Sequence, residues 1–338
     1  VLLLLFLFHK HNLSEIDMSL LQTKGAASAQ GFGLFAQSGV ADGTKGIFAI
    51  GDSGNQSTTR NKYTYATCSS TASGVGAASI ATNFGSAAGN STRGIFALGR
   101  RNPSCFCTPQ TATRNKYTYA SCTSTASGVA SASVASCLGS AAGNSTRGIF
   151  ALGNAGCATN IRNKYTYASC TSTATGVAVA SAASRAGSAA GNSTRGIFAL
   201  GVSPAPNPST TRNKYTYACC TSTASGVAAS SAVSTLGSAA GNATRGIFAL
   251  GNSTTTRNKY TYASCTSTAC GVAVSSANST SGAATGNSTR GIFALGNGTN
   301  VRNKYTYATC SSTATGVAVS SATSTGGSAA SWATCVNI

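Results

Sequence analysis

The chain has 338 residues, of which 8% are charged, and its formal net charge is +19. The acids are Glu15, Asp17, Asp42 and Asp52 only, so from residue 53 onward there is no carboxylate, which excludes a fold held by ion-pair networks. Gly, Ser, Thr, Ala and Asn fill much of the rest, a composition suited to thin, closely packed strands and tight turns rather than long helices.

The first element in chain order is the apolar run "VLLLLFLF", too short to cross a bilayer as a helix. It lacks the basic start and small-residue cleavage site of a secretory signal. The single methionine is Met18, which is expected to be the true start. Residues 1–24 are therefore expected to be a leader outside the fold, and residues 25–338 a single domain.

Two motifs then alternate. "GIFALG" begins at Gly94, Gly148, Gly196, Gly246 and Gly291, with "GIFAIG" at Gly46, and "RNKYTYA" begins at Arg60, Arg114, Arg162, Arg212, Arg257 and Arg302. A catalytic motif is needed once, whereas a structural unit that lies beside copies of itself is needed many times. From each "RNK" asparagine to the next "GIF" glycine is always 33 residues, as from Asn61 to Gly94. The other interval is free: six residues from Gly251 to Arg257, fifteen from Gly99 to Arg114. Each unit thus has a fixed body and one variable loop.

Both motifs read as strands of period two. In "KYTYA" the two tyrosines point one way and Lys and Thr the other; in "GIFAL" Phe and Leu oppose Ile and Ala. All twelve tyrosines and half of the twelve phenylalanines lie in these motifs, so the aromatics are packing residues first, and Ile149 and Phe150 are expected between neighbouring units. The alternating run "TATGVAVASAAS" at 173–184 reads as a third strand. "GSAAGNSTRG" reads as a short fourth strand with a turn into the next "GIF". Four short strands cannot bury both faces alone, and closing copies into a ring removes exposed edges. The expected fold is all-β: a six-bladed β-propeller of four-stranded antiparallel blades. A parallel β-helix, with shorter coils, is the second choice.

The order "GIFALG", variable loop, "NKYTYA", linker, "GSAAGN" resembles the Kelch repeat over about residues 44–338. It departs from that pattern in having one glycine where the repeat has a pair, and no Trp after the tyrosine strand. The near-identical units look like Kelch-like propellers encoded by marine phages and related metagenomic sequences. That resemblance implies a virion-associated or host-surface-binding role.

Closure has two candidates: residues 25–43 as an inner strand before the first "GIF", or the tail at 328–338 as a clasp, with Trp332 as a plug. Of thirteen cysteines, Cys68, Cys122, Cys170, Cys219, Cys265 and Cys310 read as one per repeat, the wrong spacing for zinc and suited to a small buried hydrophobe. Cys105 with Cys107, and Cys219 with Cys220, are weak redox or metal candidates; no metal and no cofactor is expected. The "NST" and "NAT" triplets at Asn90, Asn144, Asn192, Asn242 and Asn287 match the glycosylation pattern but are explained as turns.

Catalysis is not expected. The only histidines, His9 and His11, lie in the leader, and the repeats have no acid to pair with Ser, Thr or Lys. Binding remains, through the face carrying the variable loops. The candidate ligand residues are Arg100, Arg101 and Phe106 in the longest loop, with Arg114 and Lys116, Arg162 and Lys164, and Arg212 and Lys214 as part of a ring of twelve basic side chains. Arg93, Arg147, Arg195, Arg245 and Arg290 are expected at the opposite face. The expected partner is a host-surface glycan or protein, polyanionic given the charge, reached from a virion or cell surface, with assembly onto other virion proteins a further option. The alternatives are a scaffold or decoration propeller without external ligand, and a polyanion or nucleic-acid binder; base stacking needs exposed aromatics, and the tyrosines are expected to be packed.

Overall fold

The computed structural model describes residues 44–51, 56–101, 109–203 and 207–331, and every regular element there is a strand. Six four-stranded antiparallel sheets form the blades of a closed propeller. In the third blade the inner strand is Ser140–Gly143, the second Arg147–Ala151, the third Arg162–Thr166 and the outer Thr171–Thr173. The inner strands of successive blades pack side by side around the axis, and that of the first blade meets those of the second and the sixth.

The tail supplies the clasp. Ser328–Ser331 pairs antiparallel with Lys45–Ala49 and so becomes the inner strand of the first blade, joining the two ends of the repeat array. Residues 25–43 and Trp332 lie outside the described residues.

One expected strand sits elsewhere. The outer strand is the short "TST" before the alternating run, while residues 174–187 form a linker to the next blade with no regular strand. The linker satisfies its backbone with scattered partners instead of a ladder. Ala178 N donates to Cys220 O of the next blade, Ala180 N to Asn160 O of the loop, and Ser181 N to the Asn213 side chain. Alternation of small apolar and polar residues marks which groups touch the protein, and here those contacts are made by a crossing segment.

Each blade interface repeats one cluster. Ile95 and Ala88 of the second blade lie against Phe150, Leu152, Tyr165 and Tyr167 of the third. Phe150, Ile149 and Tyr165 are fully buried, as the strand alternation requires. The interface from the sixth blade to the first is the same, with Ile292 against Phe48, Tyr63 and Tyr65. The closing glycine of "GIFALG" has φ of 84° at Gly99, where a Cβ would run into the carbonyl of Asn83. That close approach between second strand and linker keeps one glycine there in every copy.

Burial raises the phenol pKa of Tyr63, Tyr117, Tyr165, Tyr215, Tyr260 and Tyr305, with the neighbouring cysteine adding to it. Burial does the same for Tyr262 and Tyr307. A raised folded pKa gives stability that is whole below the ordinary phenol value of 10.0 and lost as pH climbs above it. The buried arginines described below have lowered pKa values and act in the opposite sense, but six of them face eight tyrosines. The melting temperature is therefore expected to fall above about pH 10, with phenolate absorbance appearing only as the protein unfolds. Phenolate formed near pH 10 with the fold intact would show that these rings reach water.

Candidate binding face

The arginine of "RNK" is not on a face. Arg60, Arg114, Arg162, Arg212, Arg257 and Arg302 are each 1% exposed. Strand alternation turns Arg and Lys toward the next blade, and the arginine, at the loop end of its strand, slides beneath that blade's Phe and Asn. The Arg114 guanidinium carbon sits 4.7 Å from the Phe150 ring centroid and 5.8 Å from that of Tyr165. Its Nη1 donates to Ser131 O at 3.0 Å and Ser172 Oγ at 2.7 Å, and its Nη2 to Asn163 Oδ1 at 3.2 Å. Asn163 also accepts from Ser133 N and donates to Ser133 Oγ, which fastens the intervening linker. The partner of each "RN" is thus the next copy of itself, which is why the pair recurs unchanged. Arg302 closes the circle by donating to Asn61 Oδ1 and Ser70 Oγ of the first blade. Burial lowers these guanidinium pKa values to about 10, so all six remain charged at neutral pH.

The expected ring of twelve basic side chains is therefore corrected. Arg114, Arg162 and Arg212 are structural, and Lys116, Lys164 and Lys214 with their equivalents remain half-buried on the same strands. Arg93, Arg147, Arg195, Arg245 and Arg290 do begin strands at the other end of the blades, but they reach sideways: Arg93 Nη1 donates to Tyr167 O at 3.0 Å and meets Cys170 Sγ at 3.7 Å. The repeated cysteine in the fourth blade is Cys220, with φ of 55° like its equivalents; Cys219 stands exposed where other copies have Ser or Thr. These six cysteines sit at a left-handed turn position, half-buried rather than fully buried, and each packs against the hydrophobic cluster of its blade interface; no disulfide joins two of the described cysteines. The triplet asparagines build the turns: Asn144 Oδ1 accepts from Thr146 N and Arg147 N, and its Nδ2 donates to Ser193 O of the next blade. Among the described residues no cluster of His, Cys, Asp or Glu is suited to a metal, and no helix is long and apolar enough to cross a membrane.

The face that does vary has two concentric parts. The inner strand starts beside the end of the second strand, as Ser140 opposite Ala151, so the residues entering the inner strands share an end of the propeller with the variable loops. Those residues form a collar around the axis: Phe84, Leu138, Ala186, Leu236, Ser281 and Gly326. Their backbones hydrogen bond in a closed circle of 2.6–2.9 Å, with Leu138 N donating to Phe84 O, Ala186 N to Leu138 O, and so on to Phe84 N donating to Gly326 O. Every collar residue has φ between 54° and 68°, a region that only Gly326 occupies without strain. Five non-glycine residues held there are a concentration of strain of the kind that collects at functional sites. Inside the collar lies a cavity of about 40 Å³.

Around the collar, the loops are rooted on both sides. Arg100 pairs with Asn83 and with Gln110, and Thr111 with Ser136; the equivalents Asn154 with Cys137 and Thr159 with Ser184 repeat this. The Thr111–Ser136 type of pairing recurs in all six blades, whereas the pairing beside the collar is antiparallel in the second to fourth blades and runs parallel through Gly251 and Gly296 in the fifth and sixth. The shorter loops of the fifth and sixth blades turn through Asn252 and Ser253, and through Asn297 and Gly298, all with positive φ.

Of the longest loop, Arg100 is buried at its root, where Nε donates to Asn83 Oδ1 and the guanidinium covers the Phe84 ring at 5.2 Å. It backs the collar. Arg101 is exposed, with its N bonded to Pro109 O. Phe106 lies outside the described residues. The collar itself was not read from the sequence, although its signal is there. In "NFGSAAG", "CLGSAAG", "RAGSAAG" and "TLGSAAG" the two residues before the glycine change between copies that otherwise match.

Fold and face together define a six-bladed β-propeller whose repeats differ most at one end, where loop length and the collar residues change. Comparison with protein-family models gives no match, and comparison with curated proteins gives no similar chain.

Proposed function

We propose that the chain is a non-catalytic binding propeller that holds an acidic glycan or acidic protein surface of a host through its loop-and-collar end, acting from a virion or cell surface. One observation carries this reading: all the length variation among nearly copied repeats, and the change of collar residues, fall at one end. A scaffold whose loops are unconstrained gives variation at exposed tips but no reason for it at a strained axial collar. The chemistry agrees. Arg101 is exposed and Arg185 half-buried at that end, and no carboxylate is present among the described residues to neutralise them. Among the described residues an enzyme reading finds no acid, histidine or metal cluster to work with. The Kelch-like pattern, and its likeness to phage-encoded propellers, supports the surface role.

The test is a glycan array followed by deletion of residues 102–108, a narrower cut than the loop itself because Gln110 and Thr111 belong to the root. The variant is expected to fold, since loop length changes stability slowly. Its affinity for the selected glycan is expected to fall at least tenfold, with a shallower salt dependence. Unchanged affinity and salt dependence would move the site off this loop, and a wild-type chain that binds no glycan or host surface would favour the scaffold.

A further inference from the structure

We propose that the buried arginines between the blades form sites for a monatomic anion, chloride in ordinary solution. The charge comes first. Six guanidiniums are withdrawn from water, and all their hydrogen-bond partners are neutral: carbonyls, a serine hydroxyl and an asparagine amide. No described residue is a carboxylate. A buried charge with only neutral partners is expensive, and a small anion beside it relieves the cost.

Donors without acceptors come second. The Nε of Arg60, Arg114, Arg162, Arg212, Arg257 and Arg302 is buried and makes no hydrogen bond. In a guanidinium that N–H can only donate. Between the third and fourth blades Arg162 lines a cavity of about 10 Å³, together with Ser140, Ser184 and Phe198. A second cavity of about 10 Å³ lies at the corresponding place between the first and second blades, lined by Ala78, Gly85, Phe96 and Ser328 but not by Arg60. This is room for one particle of about the size of a water molecule, and none for sulfate or phosphate.

A third observation comes from the copies. Between the fourth and fifth blades the equivalents of Ser140 and Ala180 are Ser188 and Ser230, and both hydroxyls are buried without a partner, as is Nε of Arg212. Between the fifth and sixth, Ser275 and Arg257 repeat the pairing. At these two interfaces the serine that replaces Ala180 is left unmatched and can donate. Water satisfies an N–H as well as chloride does, but it must place two protons of its own and leaves the charge uncompensated.

The deciding experiment uses the whole protein. Crystals grown in sodium bromide are expected to show anomalous scattering beside Nε at the blade interfaces. Melting temperature is expected to rise saturably with chloride or bromide relative to gluconate at equal ionic strength. Arg162→Met should remove the bromide signal between the third and fourth blades and leave the others, so one weakened interface does not obscure the result. Bromide crystals with no anomalous signal at any interface, or equal melting temperatures in chloride and gluconate, overturn the proposal.

Discussion

Ending the chain at Gly327 is expected to open the ring and to cost stability on the scale of a whole domain, roughly 5 kcal/mol or more. The truncation removes Ser328–Ser331, whose register with Lys45–Ala49 runs from Ser328 opposite Ala49 to Ser331 opposite Gly46. Three consequences add together. The strand Lys45–Ala49 acquires a free edge, with unpaired N–H and C=O groups facing the axis. The inner ring loses one of its six strands, and with it the contacts made to Ser86–Gly89 and Ala283–Gly286. The collar loses its continuity as well, because Gly326, which accepts from Phe84 N and donates to Ser281 O, is left at a chain end. The check is hydrogen exchange together with small-angle scattering. Amides of residues 46–49 should lose protection first, and the radius of gyration should rise before global unfolding. A truncated chain that keeps protection there and melts as before would mean that blade packing alone closes the ring.

Much of this architecture is written in the sequence because each repeat solves the same packing problem. The invariant interval of 33 residues, the period-two placement of Ile, Phe and Tyr, and six copies of two motifs are enough to give blade number and buried faces. What the sequence hides is direction. Arg162 and Lys164 lie on one side of a strand, and nothing in "RNK" says that one slips beneath the next blade's Phe198 while the other stays half-buried. A charged residue at the end of a strand reads as surface, and only the position of the neighbouring copy makes it core. The linker at 174–187 misleads for a related reason, since alternation reports burial but not the kind of partner. The collar is hidden because its variability looks like noise until the inner strands are brought around one axis. There Phe84 lies across the place where Gly326 has no side chain.

Truncating Phe48 and Phe150 to Ala in separate proteins is expected to give similar losses in contact energy and different modes of failure. Both rings are essentially unexposed, both face the isoleucine of the preceding blade, and both carry a guanidinium on one face, Arg302 at 4.5 Å and Arg114 at 4.7 Å. Each loss should be about 3–5 kcal/mol, since the cavity cannot collapse between two sheets and the arginine loses its aromatic cover. The difference lies in the chain. Phe150 stands between the second and third blades, whose own linker holds them together whatever the contact is worth. Phe48 lies on Lys45–Ala49, which reaches the sixth blade only through its contacts and through the clasp strand, with no direct connection along the chain. Phe150→Ala should therefore lower the melting temperature while unfolding stays a single cooperative event. Phe48→Ala should add an opening step below the main transition, seen as early exchange at residues 45–49. Identical melting curves and exchange patterns for the two variants would show that the clasp strand by itself holds the ring closed.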